Sequence, residues 1–319
     1  MNSSNSIGGY FELELNKGAL LHADAILLNS GRSCLEYILR AKEITNIYLP
    51  KFICDAVIRP LDKLGITYTF YAIDNKLEMK DDIVLKESEL LLYVNYFGIK
   101  NTYSASLSDK YGQQFVLDCS QAYYFPALEK GYTFYSSRKF FGVPDGGELI
   151  TDNYLQEEIL QDTSYGRTAH LVMRIDLDAE SAYGDFINNE TAIQNAPMMR
   201  MSRLTQKILE NVQMDDARQQ RNKNFRLLHE ALGEQSHLEI DVEAIDGPLC
   251  YPFWTGDSSM RQRLIDRKIF VPTYWPNVIE WCEEQSLEYQ LATQVIPLPI
   301  DQRYGEGEMT EILEIINAH

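Results

Sequence analysis

The chain has 319 residues, 45% of them hydrophobic and 11% aromatic, enough for one large domain with a sizeable core and one smaller domain. Its formal net charge of -18 argues against a nucleic-acid backbone or an anionic membrane surface as main partner, while leaving room for a phosphorylated ligand in a locally positive pocket. Five cysteines, at 34, 54, 119, 250 and 282, stand far apart with no CxxC pair, and the five histidines show no HExxH-type spacing; this points to a reducing compartment and to no metal site.

The N-terminus, Met1 to Gly9, lacks a basic region followed by an apolar core, and no apolar run approaches a membrane span. A soluble, cytoplasmic protein is expected. The first half then alternates short β-rich runs with helical stretches. Strands are predicted at Ala25–Leu28, Asn46–Leu49, Tyr68–Tyr71, Leu90–Val94, Phe115–Leu117, Tyr132–Tyr135 and Glu148–Thr151. Between them, helices are predicted over Arg32–Ala41, Cys54–Leu64, with Pro60 as a kink or stop, and Ser106–Tyr111. This rhythm implies a mostly parallel sheet covered on both faces.

From Ser202 to Leu232 the chain is nearly free of Gly and Pro. One or two long helices are expected, broken near Met214–Asp216. Shorter α+β signals follow at Leu238–Ile240, Cys250–Trp254, Ser258–Arg267 and Phe270–Pro272, with a closing helix over Thr310–Asn317. The expected division is 1–205 for the N-terminal segment and large domain, and 206–319 for the linking helix and small domain.

The chemistry concentrates at strand ends, where α/β folds bind ligands. Asp118 ends an apolar strand, and Lys139 follows a second one amid Phe140-Phe141-Gly142. A carboxylate and a lysine on neighbouring strand ends suit a pyridoxal 5'-phosphate (PLP) enzyme: the lysine holds the aldehyde as a Schiff base and the carboxylate keeps the ring nitrogen protonated. A reactive lysine needs a partly desolvated pocket or a nearby cation, for which Arg138 is the candidate. Asp118 reads equally as a helix N-cap for Ser120-Gln121-Ala122. Ser30-Gly31-Arg32-Ser33 opens the first helix, either as a plain Ser N-cap or as a phosphate site, with Ser136 as a further phosphate contact. Asn95 and Tyr96 leave the buried strand and are candidates to line the pocket, as are Tyr10, Phe11 and Trp275.

Taken in order, these residues resemble the DegT/DnrJ/EryC1/StrS sugar aminotransferase family of PLP enzymes, fold type I. Asn29 to Leu35 is similar to its phosphate loop, Asn95-Tyr96-Phe97-Gly98 to its strand-end motif, and Asp118-Cys119-Ser120-Gln121-Ala122 to its Asp-x-x-Gln-Ala. Ser136 to Gly147 resembles its Ser-x-x-Lys with a Gly-Gly strand, Arg200-Met201-Ser202 its Arg-Met-Ser, and Ile296 to Ile300 its late Leu-Pro strand. The resemblance implies a three-layer αβα large domain with a mixed, mostly parallel sheet and a smaller α+β C-terminal domain.

It further implies that Lys139 binds PLP, Asp118 pairs the ring nitrogen, Gln121 contacts the ring oxygen side, and Gly31, Arg32, Ser33 and Ser136 hold the phosphate. The working unit is expected to be a homodimer with its site at the subunit interface. The expected activity is amino transfer, with glutamate as donor and a keto-sugar nucleotide as acceptor. Another PLP reaction, such as dehydration or carbon–carbon cleavage, and a non-catalytic binding role are the alternatives. The sequence departs from the family pattern where the ring-stacking aromatic falls on Cys54, with Phe52 as a substitute, and where the asparagine before Arg-Met falls on Met198. Arg138 is a further candidate for substrate.

Overall fold

A computed structural model describes residues 7–318. Among them, seven strands form one sheet: β1 (Ile26–Leu28), β2 (Asn46–Pro50), β3 (Thr67–Tyr71), β4 (Glu89–Val94), β5 (Phe115–Cys119), β6 (Tyr132–Tyr135) and β7 (Gly147–Ile150). The spatial order is β1-β7-β6-β5-β4-β2-β3. Only β7 runs against its neighbours, antiparallel to both β1 and β6; the pairs from β6 through β3 are parallel.

Between the strands lie α1 (Gly31–Ala41), α2 (Ile58–Leu64) and α3 (Asn101–Tyr111). The β2–α2–β3 crossover moves outward from the sheet centre, and β4–α3–β5 moves the opposite way. With right-handed crossovers, that reversal puts α2 and α3 on opposite faces. Helix α1 packs on α2 and across β6 and β7. The sheet is therefore covered on both sides, and every residue of β4 is buried, as its unbroken apolar run requires. The three-layer αβα arrangement is the expected one.

Several boundaries differ from the sequence reading. Pro60 neither stops nor kinks α2, because it is the third residue of that helix, where a backbone N–H has no helical partner to lose. Helix α3 begins at Asn101, five residues before the expected start. The stretch after β7, for which no element was predicted, holds α4 (Ala169–Asp176) and α5 (Tyr183–Asn195).

The long helical stretch divides into α6 (Arg203–Leu209) and α7 (Met214–Leu232), so the break falls just before Met214. The expected division at 205/206 lies inside α6. Beyond α7 come β8 (Tyr251–Trp254), α8 (Met260–Asp266), α9 (Pro276–Trp281), α10 (Leu287–Gln294), β9 (Val295–Leu298) and α11 (Glu306–Asn317). β8 and β9 pair antiparallel in a two-stranded sheet, against which α7 and α10 pack. This is the smaller α+β part. Leu238–Ile240 and Phe270–Pro272 form no strand. Helix α11 starts four residues earlier than expected because the Glu308 carboxylate accepts from the Gly305 amide at 2.8 Å and fixes its first turn.

Candidate active site

The parallel strands deliver their carboxyl ends to one edge, so the segments after Leu28, Pro50, Val94, Cys119 and Tyr135 gather there. The register sets Val94 beside Asp118 and Asp118 beside Phe134. Asp118 is buried, and its Oδ1 accepts from the Ser120 amide at 2.7 Å. No helix follows it: Ala122 N donates to Cys119 O, closing a turn. The N-cap reading of Asp118 is thus replaced by a local side-chain turn. Burial raises its carboxyl above the ordinary value, while the Lys139 charge and the Ser120 hydrogen bonds pull it back down.

Lys139 ends the short turn Ser137–Lys139 after β6. Its Nζ donates to Ser120 Oγ at 3.1 Å. Lys139 itself is exposed in the single chain, while Phe140 and Phe141 beside it are buried. The desolvated pocket expected for this lysine is therefore not complete within one chain. Arg138 does not supply a cation there: it turns toward α5 and pairs with Glu190. Burial pushes Arg138 down to about 10, and its Nε has no hydrogen-bond partner among the described residues.

Gln121 is fully buried. Its Oε1 accepts from the Phe97 amide at 2.8 Å, whereas its Nε2 has no partner among the described residues. A buried donor left unpaired costs about 1–3 kcal/mol, so this amide suits an acceptor that the protein alone does not provide. Cys54 lies close enough to Lys139 for its charge to act on the thiol, which burial raises. Phe52 is fully buried, 4.8 Å edge-on from Trp275 and 5.6 Å from Tyr96 between ring centroids. It is packed as core.

The Ser30 side chain caps α1 by accepting from Ser33 N at 3.1 Å. Ser33 Oγ is engaged with Asn29 Oδ1 at 2.6 Å, and Arg32 Nη2 with the Ile193 carbonyl at 2.5 Å. At Gly31, an added Cβ would sit 3.6 Å from the Phe134 ring and 3.9 Å from Ser136 Cβ. The start of α1 and Ser136 therefore adjoin. Asn95 and Tyr96 do not reach the surface: Asn95 bonds Asn101 and the Lys100 amide, and the Tyr96 hydroxyl donates to Phe52 O. Tyr10 and Phe11 are 98% and 90% exposed and line no wall of the single chain. Trp275 is buried beside Phe52, and Met198 is half-buried.

The glycine pair after Pro144 has a steric cause. A Cβ on Gly147 would fall 2.3 Å from the Ser30 carbonyl, and one on Gly146, at φ 137°, would fall 2.2 Å from Ser137 Oγ. Sequence reasoning missed three neighbours. Asp145, fully buried, accepts from Ser202 N at 2.7 Å and Ser202 Oγ at 2.6 Å, tying the Lys139 segment to the start of α6. Glu148, also fully buried, accepts from the Tyr123 hydroxyl at 2.9 and 3.0 Å, and burial pushes it up to about 7. Ser120 stood within a quoted motif but was not singled out. Two surface clefts, of about 210 and 330 Å³, are lined by none of Lys139, Asp118 and Gln121.

No protein-family model and no curated protein matches the sequence. Solved structures do match the fold. NtdA from Bacillus subtilis, solved with bound cofactor PMP, superposes with TM-score 0.63 at 13% identity over 92% of this chain and 73% of its own. Sugar aminotransferase CalS13 from Micromonospora echinospora gives 0.59 at 12% identity over 92% and 87%. A DegT DnrJ EryC1 StrS aminotransferase from Brucella abortus gives 0.57 at 13% identity over 92% and 84%. Along nearly its whole length, this chain has the fold of the DegT/DnrJ/EryC1/StrS-type aminotransferases.

Proposed function

We propose that this protein is a PLP-dependent aminotransferase that moves an amino group from glutamate to a keto-sugar nucleotide. The observation that carries the reading is the Lys139–Ser120–Asp118 arrangement with the unpartnered Gln121 Nε2 beside it. These residues fit PLP. Lys139 would hold its aldehyde, Asp118 its ring nitrogen, Gln121 Nε2 its ring oxygen, and the α1 start with Ser136 its phosphate. When bound, the cofactor supplies the electron sink that labilises bonds at the substrate carbon. Cys54, rather than an aromatic side chain, would face the ring.

Within the protein, Lys139 Nζ carries the proton to and from the substrate carbon. Ser120 orients that amine when it is free, and the Ser120 bonds and the Lys139 charge offset part of the burial that raises the Asp118 carboxyl. The names of the matched proteins, a sugar aminotransferase and a PMP-bound relative among them, support the substrate class and cofactor. A homodimer is part of the reading. Val172, Ile175, Leu177 and Tyr183 are exposed on and between α4 and α5, and large apolar side chains gathered in exposed segments mark an interface. The salt bridge from Glu190 of α5 to Arg138, the residue before Lys139, joins that part of the chain to the Lys139 turn.

The test has two steps. Purified protein with PLP should turn yellow, and borohydride should fix the label on Lys139 alone. Glutamate should then convert the bound cofactor to its amine form and release 2-oxoglutarate. Label on another lysine overturns the site. If no amino acid is deaminated while a substrate still yields product, a different PLP reaction replaces amino transfer.

A further inference from the structure

Arg221 of α7 is 1% exposed, yet each of its hydrogen bonds goes to a neutral oxygen. Nη1 donates to the carbonyls of Pro248 at 3.0 Å and Leu249 at 3.1 Å, Nη2 to that of Phe140 at 3.3 Å, and Nε to Gln302 Oε1 at 3.0 Å. Its guanidinium carbon also lies 4.6 Å from the Phe140 ring centroid. Taking a charge out of water costs several kcal/mol, so packing alone would be served as well by an apolar side chain. Gln302 Nε2 makes a second bond to the same Phe140 carbonyl at 3.0 Å.

Phe140 directly follows Lys139. Leu249, whose carbonyl Arg221 holds, donates its amide to Phe97 O at 2.9 Å, and the Phe97 amide donates to Gln121 Oε1. Gly98 is confined between these partners: a Cβ there would meet Gln121 O at 2.8 Å and Pro248 Cα at 3.0 Å. A continuous run of bonds thus links the Lys139 turn, through Arg221, Leu249 and Phe97, to the loop that carries Gln121 and Asp118.

We propose that Arg221, with Gln302, is a positioning residue for Lys139, holding the carbonyl after it so that Nζ keeps one placement relative to Asp118 and Gln121. The role in cofactor attachment rests on the PLP reading above. The guanidinium is required for its shape, since its rigid fork reaches three carbonyls and an amide oxygen together, which a lysine ammonium cannot do.

The experiment compares wild type, Arg221→Lys, Gln302→Leu and the double variant. Three quantities are measured: the unfolding midpoint, the rate of PLP attachment trapped by borohydride at Lys139, and the acetylation rate of Lys139 by acetic anhydride in cofactor-free protein. Folded Arg221→Lys should attach PLP about tenfold more slowly, as expected for about one lost hydrogen bond, and its Lys139 acetylation rate should change. Gln302→Leu should shift both in the same direction by less. The double variant should fall short of the product of the two, because both side chains act on one carbonyl.

Destabilisation with unchanged Lys139 reactivity would show a purely structural role and overturn the proposal. If Arg221→Lys does not fold, Gln302→Leu decides alone, and wild-type rates in it sink the idea. If wild type takes up no PLP, the cofactor reading fails, while equal acetylation across the folded variants still overturns the positioning role and altered acetylation still supports it.

Discussion

Lys139 donates from Nζ to Ser120 Oγ at 3.1 Å while the Ser120 amide is held by Asp118. One serine thus joins the lysine that follows β6 to the carboxylate near the end of β5, residues from two separate motifs.

Replacing Asp118 with Asn should leave the fold intact, because the amide oxygen can still accept from the Ser120 amide. Without the negative charge, a protonated ring nitrogen loses its partner. Turnover should fall by about two orders of magnitude or more, with PLP still attached at Lys139. Steady-state kinetics beside borohydride labelling checks both parts; near-wild-type turnover would remove Asp118 from the mechanism.

Glu148 sets a pH dependence of stability. Its carboxyl is raised from 4.5 to about 7 by burial, so between those values the folded protein keeps a proton that the unfolded chain has lost. Its contribution to stability therefore falls as pH rises through that window, by about 3 kcal/mol in all. His22, lowered to about 4 by burial, acts with the opposite sign between about 4 and 6.5, so the comparison with a variant isolates Glu148. Glu148→Gln still offers an acceptor to Tyr123 and should gain stability over wild type from pH 5 to pH 8. Denaturant midpoints at the two pH values measure it, and a constant difference would contradict the assignment.

Gly147→Ala should be severe. The added Cβ would lie 2.3 Å from the backbone of Ser30, so the start of α1 must move. A loss of more than about 2 kcal/mol is expected, together with weaker PLP phosphate binding. Gly166→Ala is the control, because its Cβ would meet nothing within 4 Å; thermal melts of the two should differ clearly.

Ile175, 82% exposed on α4, should belong to a homodimer interface. Ile175→Asp should yield monomers by sedimentation at micromolar concentration and reduce turnover, since Glu190 of α5 joins that part of the chain to the Lys139 turn. A wild-type protein that is monomeric and turns over would overturn the assignment.

The sequence by itself determined the strands of the large sheet and the order of the motifs along one edge. Those features rest on local chemistry: the apolar run of β4 demands burial on both faces, and Lys139 and Asp118 follow β-rich runs directly. Helices α4 and α5 were not legible because their apolar residues, Val172, Ile175, Phe186 and Ile187 among them, face outward as well as inward and give no single buried stripe. Only the tertiary structure decided that Asn95 and Tyr96 lie beneath the site, that Ser33 and Arg32 are engaged by Asn29 and Ile193, and that Tyr10 stands in solvent. It alone brought Arg221 and Gln302 onto the carbonyl after Lys139, across 81 and 162 residues of chain. Contacts at such separation depend on how the layers pack, and no local periodicity or spacing encodes them.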